Sequence, residues 1–141
     1  MEKEFIPYEQ ALALKELGFD EPCFGFWNYN DSKMYYWNDE EIQNERTNTW
    51  FLDTEKKFPK ISKNGCTAPT FSQAFRFFRE KYKMTSSVRV YFAEEFFYEI
   101  YVSFNHEITS GMYNSYEETE LACLKQLIKI AKEKHNVGDS H

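Results

Sequence analysis

The feature that most limits what this chain can fold into is a hydrophobic pattern whose period changes along its length. In "APTFSQAFRFFREKYK", at 68–83, Phe71, Ala74, Phe75, Phe78 and Tyr82 recur at i, i+3, i+4, i+7 and i+11. That is one stripe of an amphipathic helix. Thr70 and Gln73 read as a capping box at its start, and Phe75 and Phe78 as its deep-core residues. In "VRVYF" and "FFYEIYVSF" the period falls to two, with Val88, Val90 and Phe92 on one face of a first strand. Tyr98, Ile100, Val102 and Phe104 share one face of a second strand, after a turn at 93–95 that carries Glu94 and Glu95.

The remaining segments extend this alternation of periods. "PYEQALALKEL" reads as a helix entered through Pro7 and stopped by Gly18, which predicts that Phe19 folds back toward Leu14. "CFGFWNY" and "KMYYWN" flank the turn-forming "NDS" and read as a hairpin. Residues 38–48 read as an acidic loop, 49–53 as a short edge strand and 56–69 as irregular chain. "SYEETELACLKQLIKIAKEKH" is a helix of about twenty residues capped by Ser115 and Glu118; glutamates fill its first turns and Lys129, Lys132 and Lys134 its last. The order is α-ββ-α-ββ-α. It predicts a two-layer α+β fold, a largely antiparallel sheet with helices on one face. The 141-residue length and the absence of any linker-like run predict one domain over 1–141, with 136–141 a frayed tail.

Charge limits the partners. Residues 1–60 hold 7 Lys and Arg against 13 Asp and Glu, while residues 61–141 hold 10 of each. Phosphate neutralisation drives general nucleic-acid binding, so this acidic balance disfavours a sequence-independent DNA or RNA binder and favours basic partners or solubility. Cys23, Cys66 and Cys123 are too far apart for a metal knuckle and odd in number for a disulfide framework. With no basic-then-apolar leader and no membrane-length apolar run, they predict a cytoplasmic protein with no membrane association.

Reactive chemistry is thinly represented. His106 beside Glu107 and the Glu94–Glu95 pair are the minimal centre that a small nucleic-acid- or nucleotide-processing enzyme would use; no catalytic residue, metal or cofactor is assigned. Three surfaces are candidates for binding. Arg76, Arg79 and Lys83 fall at i, i+3 and i+7 with Lys81 beside them, either a stripe that grips RNA or an acidic partner, or the solvated back of a helix. Phe77 lies off the core stripe and would strengthen the first reading if exposed. Trp27, Tyr29, Tyr35 and Trp37 share parity in the first hairpin, either an open aromatic face or one buried under residues 40–67. Asp39, Glu40 and Glu41 form an acidic loop.

Three stretches, "FIPYEQALALKELGFDEPCFGFW", "APTFSQAFRFFREKY" and "YEETELACLKQLIKI", together resemble a widespread group of short proteins of bacteriophages, prophages and other mobile elements. The chain departs from the group's pattern with Phe77 in place of Trp and Lys83 in place of Gly. The resemblance carries over no biochemical role. It implies a bacterial-host setting and an accessory function, which makes the expected activity non-enzymatic: blocking a host protein or ribonucleoprotein, in concrete form anti-CRISPR-like inhibition of a nuclease or its guide complex. Nucleic acid enters this expectation only through the basic stripe, and a structural or oligomeric phage accessory role is the further alternative.

Overall fold

The computed structural model of the chain describes residues 4–21, 23, 25–27, 33–36, 66–103 and 106–139. Their elements run α1 (Tyr8–Glu16), β1 (Gly25–Trp27), β2 (Met34–Tyr36), β3 (Cys66–Ala68), α2 (Phe71–Lys81), β4 (Thr85–Phe92), β5 (Glu95–Ser103), β6 (His106–Thr109) and α3 (Tyr116–Asp139). The class is α+β, and both sheets are three-stranded and antiparallel. Contacts divide the chain into two compact units, 1–70 and 71–141.

In the first unit the stop of α1 follows from Gly18. Its φ of 96° is the left-handed conformation that only glycine adopts without cost. The Gly18 N–H donates to Lys15 O at 3.0 Å and the Phe19 N–H to Leu14 O at 2.9 Å, closing the helix end, and Leu14 and Phe19 are both buried as expected. The sheet order is β2-β1-β3. The strand β3 lies within the segment expected to be irregular. Its residues Cys66, Thr67 and Ala68 are all buried, so burial on both faces leaves no alternation to read. The Ile6 N–H donates to Pro69 O and Phe5 bridges Thr70, laying the entering chain beside the end of β3. The expected edge strand at 49–53 lies outside the described residues.

In the second unit the sheet order is β4-β5-β6 and both helices pack on it, α3 against β4 and β5 and α2 against β4 and α3. Register places Ser86, Val88 and Val90 opposite Ile100, Tyr98 and Phe96, which confirms the expected second hairpin; its turn is at 93–94, because Glu95, expected in the turn, already pairs with Phe92. β6 was not expected: "HEIT" has a single apolar residue and is recruited by pairing with β5, Ile108 opposite Ile100.

Helix α2 is rotated relative to the expected stripe. Ala74, Phe77 and Phe78 are its buried residues, and Phe75 is half-buried. The spacing of aromatic residues cannot choose between two stripes that share Phe78. Rings on both flanks leave the choice to packing, and Phe77 stacks edge-on against Phe78 and Tyr82 at 5.3 and 5.9 Å. Lys83 ends the helix at φ 57°, where a β-carbon is disfavoured, and lets the Met84 N–H donate back to Phe78 O at 3.1 Å.

Helix α3 starts as expected, the Glu118 N–H donating to Ser115 Oγ at 3.1 Å. It ends later. The helix continues through Asp139, and Lys129, Lys132 and Lys134 lie short of its last turn, which holds no basic residue. Cys123, Leu124, Leu127, Ile128, Ile130 and Ala131 are buried along it.

Two stability changes follow. Phe78→Ala is expected to cost about 3–5 kcal/mol in urea unfolding, and Phe75→Ala clearly less, because only the former ring is fully enclosed. Lys83→Gly is expected to raise stability by about 0.5–1 kcal/mol, the left-handed strain relieved less the extra chain entropy of glycine.

Candidate functional site

The site is built at the turn end of the β4–β5 hairpin. Pairing is regular from Thr85 opposite Tyr101 to Val90 opposite Phe96, then shifts so that Phe92 opposes Glu95. The extra residue is Tyr91. A bulge of this kind removes the strict up-down alternation, and the rings of the consecutive residues Tyr91 and Phe92 meet edge-on at 5.4 Å. Val90, Tyr91 and Phe92 are 61%, 61% and 70% exposed, so the apolar face read at Val88, Val90 and Phe92 is uncovered at its turn end. Phe96, half-buried, stands perpendicular to Tyr116 with centroids 6.2 Å apart, and backbone bonds in both directions with Tyr113 hold it there. Met112 and Tyr116 are also exposed, so the hairpin end and the start of α3 present an open apolar surface.

Its border is acidic. Glu94, Glu95, Glu117 and Glu118 are exposed and Glu120 half-buried. Residues 90–124 contain seven glutamates and no Lys or Arg. Burial, reinforced by Glu117, pushes the Glu120 carboxyl up, against the hydrogen bond from the Tyr116 hydroxyl. On the outer face of the sheet Arg89 Nη1 donates to Glu99 Oε2 at 3.3 Å and the Tyr101 hydroxyl donates to the same oxygen at 3.4 Å. The carboxylates of Glu107 and Glu99 hold the exposed Tyr101 phenol above its ordinary range. Two signals for this site were present in the sequence: the run "VYF" is apolar on both faces of a strand, and the basic residues vanish for 35 positions.

The expected candidates fare differently. Arg76 and Arg79 are exposed on α2, but the stripe does not extend to Lys83, which lies beyond the helix in a left-handed turn. The Lys81 ammonium lies 5.5 Å above the Phe77 ring and 5.7 Å above Tyr82, so its stem covers the core instead of continuing the stripe. Phe77 itself is buried, which removes the exposed ring between arginines.

Trp27 is core. Its indole N–H donates to Ile6 O at 3.0 Å and its ring meets Tyr8 edge-on. Nor do positions 27 and 35 fall on one face of the sheet. The register sets Phe26 opposite Tyr35 and Trp27 opposite Met34, and directly opposed residues lie on the same side, so Trp27 and Tyr35 are on opposite sides. Tyr29, Trp37 and the acidic loop Asp39, Glu40 and Glu41 lie outside the described residues.

His106 is not in a loop but opens β6 opposite Ser103, while Glu95 opens β5 at the other end. Eight residue steps of strand separate those two levels, about 26 Å at about 3.3 Å per residue, so the histidine and the Glu94–Glu95 pair do not form one centre. Among the described residues no group of three or more His, Cys, Asp or Glu could hold a metal ion, and no helix is long and apolar enough to cross a membrane. No family model, curated protein or solved structure matches the chain.

All three cysteines are buried thiols outside any disulfide. Burial pushes the Cys23 and Cys123 thiols up from 9.0 to about 12. A raised thiol keeps its proton, so its contribution to stability is whole below pH 9.0 and is lost as pH climbs from there toward 12. At about pH 8 the native protein is expected to resist a thiol-specific disulfide reagent, with all three cysteines reacting once denaturant is added. Prompt reaction of the native protein would contradict this burial.

Proposed function

We propose that the chain is a non-enzymatic binding protein that acts by occupying a host macromolecule, with the apolar end of the β4–β5 hairpin as its principal contact. The single observation that carries this reading is the exposure of Val90, Tyr91 and Phe92 in a row. Monomeric surfaces scatter exposed apolar residues singly, whereas contiguous ones bordered by polar groups mark interaction sites. Aromatic side chains are the usual anchors of such contacts.

The acidic border selects the partner. A surface bordered by Glu94, Glu95, Glu117, Glu118 and Glu120, within a stretch of 35 residues that holds no Lys or Arg, complements a basic one, and the proteins that expose large basic surfaces are those that bind nucleic acid. Inhibition of a host defence nuclease or its guide complex, in the manner of an anti-CRISPR protein, is the concrete form of the proposal. Arg76 and Arg79 then serve as a secondary contact. The resemblance to phage and prophage proteins favours the same setting.

The test compares the wild type with Tyr91→Ala/Phe92→Ala, whose side chains are exposed and whose loss should leave folding nearly intact. Affinity purification from bacterial lysate is expected to recover a nucleic-acid-binding protein whose nuclease activity the wild type inhibits. The variant is expected to weaken Kd by a factor of about 30 or more, the scale of a hot spot of about 2 kcal/mol. Equal inhibition by both proteins would remove the hairpin from the contact. A concentration-dependent dimer broken by the same substitutions would favour the oligomeric accessory role.

A further inference from the structure

The second unit contains a hollow of about 260 Å³ whose lining includes Arg79, Tyr116 and Glu120 from the surfaces described above. Its walls follow from helix geometry. Ser72, Phe75 and Arg79, at i, i+3 and i+7, form one line along α2. Tyr116, Glu120 and Cys123, at i, i+4 and i+7, form another along α3. Ser86 and Val88 of β4 close the third side from the helix-covered face of the sheet, since their cross-strand partners Ile100 and Tyr98 are buried. Ser72, Arg79 and Tyr116 are exposed, so the hollow opens to solvent.

Two opposite charges stand on opposite walls of this space. Arg79 and Glu120 are not within 4.0 Å of each other, and neither forms an ion pair with any other described residue. Arg79 is solvated. Glu120 is half-buried, with only the Tyr116 hydroxyl supporting it and Glu117 opposing its charge. A carboxylate in that position is stabilised by any cation that enters, and a guanidinium across the space takes a carboxylate in a two-pronged grip. Phe75 and Val88 supply apolar contact in the same lining. The volume is just below the roughly 300–1,000 Å³ of drug-sized ligand sites, which suits a ligand of a few heavy atoms and not a nucleotide.

We propose that the hollow between α2, β4 and α3 binds a small zwitterion, an α-amino acid with an apolar side chain, its carboxylate on Arg79, its ammonium on Glu120 and its side chain against Phe75 and Val88. Because the hollow opens beside Tyr116, which also borders the apolar hairpin end, the ligand sits next to the proposed contact surface.

The experiment is a titration of the isotope-labelled full chain with L-leucine, L-methionine and L-phenylalanine, followed by amide NMR shifts. At least one is expected to give saturable shifts concentrated in residues 72–79, 86–88 and 116–123. N-acetyl-L-leucine, which lacks the ammonium, and L-leucinamide, which lacks the carboxylate, should each bind at least about tenfold more weakly, the loss of about 1.4 kcal/mol. Arg79→Gln and Glu120→Gln should each weaken the free amino acid by a similar factor while thermal unfolding shows both variants folded. Glu120→Gln removes a half-buried charge without changing shape, so its folding is not at risk. The proposal is overturned if no shift saturates up to about 10 mM, where a ligand with Kd of about 1 mM would be mostly bound. It is equally overturned if leucinamide or N-acetyl-leucine binds as well as leucine. Neither outcome bears on the hairpin contact, which is read by nuclease inhibition.

Discussion

The second unit depends on the packing of α3 across β4 and β5. One face of the helix, from Cys123 through Ala131, is buried, and on the sheet side Tyr98 and Ile100 are enclosed. Where the helix begins is therefore where the covered part of the sheet begins. Ser115 caps it, its first residue Tyr116 stands against Phe96, and Val90 is opposite Phe96 across the hairpin. Beyond that level, toward the turn, no helix of this unit covers the strands. The exposure of Val90 and Phe92 is the consequence, and the bulge at Tyr91 adds a third exposed side chain.

In the first unit one hydrogen bond has a comparable role. An indole N–H taken out of water needs an acceptor, and for Trp27 that acceptor is the Ile6 carbonyl. The same residue's N–H donates to Pro69 O, so the entering chain is fixed between a side chain of β1 and the end of β3. Cys66, opposite Trp27 on β3, is buried with it. A tryptophan used in this way is structural.

Charge and apolar exposure coincide in the second unit. Its glutamates spread around the hairpin end and the start of α3, partly balanced by the dipole of that helix and by Arg89. An exposed ion pair such as Arg89–Glu99 adds little stability. The acidic potential that remains is a property of the surface. In the hollow between the helices one half-buried carboxylate, Glu120, stands without an ion pair to any described residue.

Local features were legible in the sequence because their causes are local. Gly18 and Phe19 closing α1, Ser115 capping α3, the turn at 93–94 and the α+β class all follow from backbone chemistry and side-chain period within a few residues. The sequence by itself also determined the acidic stretch at 90–124, a matter of composition. What only the tertiary structure decided are choices among locally equivalent options. Phe75 and Phe77 lie on opposite flanks of Phe78, about 60° and about 100° away around the helix, and packing buried Phe77. Parity within a strand is visible in a sequence, but the register between strands is not, and a register pairing Phe26 with Tyr35 put Trp27 and Tyr35 on opposite sides. Strands β3 and β6 exist because partners were already in place to accept their hydrogen bonds, a cause that lies outside their own residues.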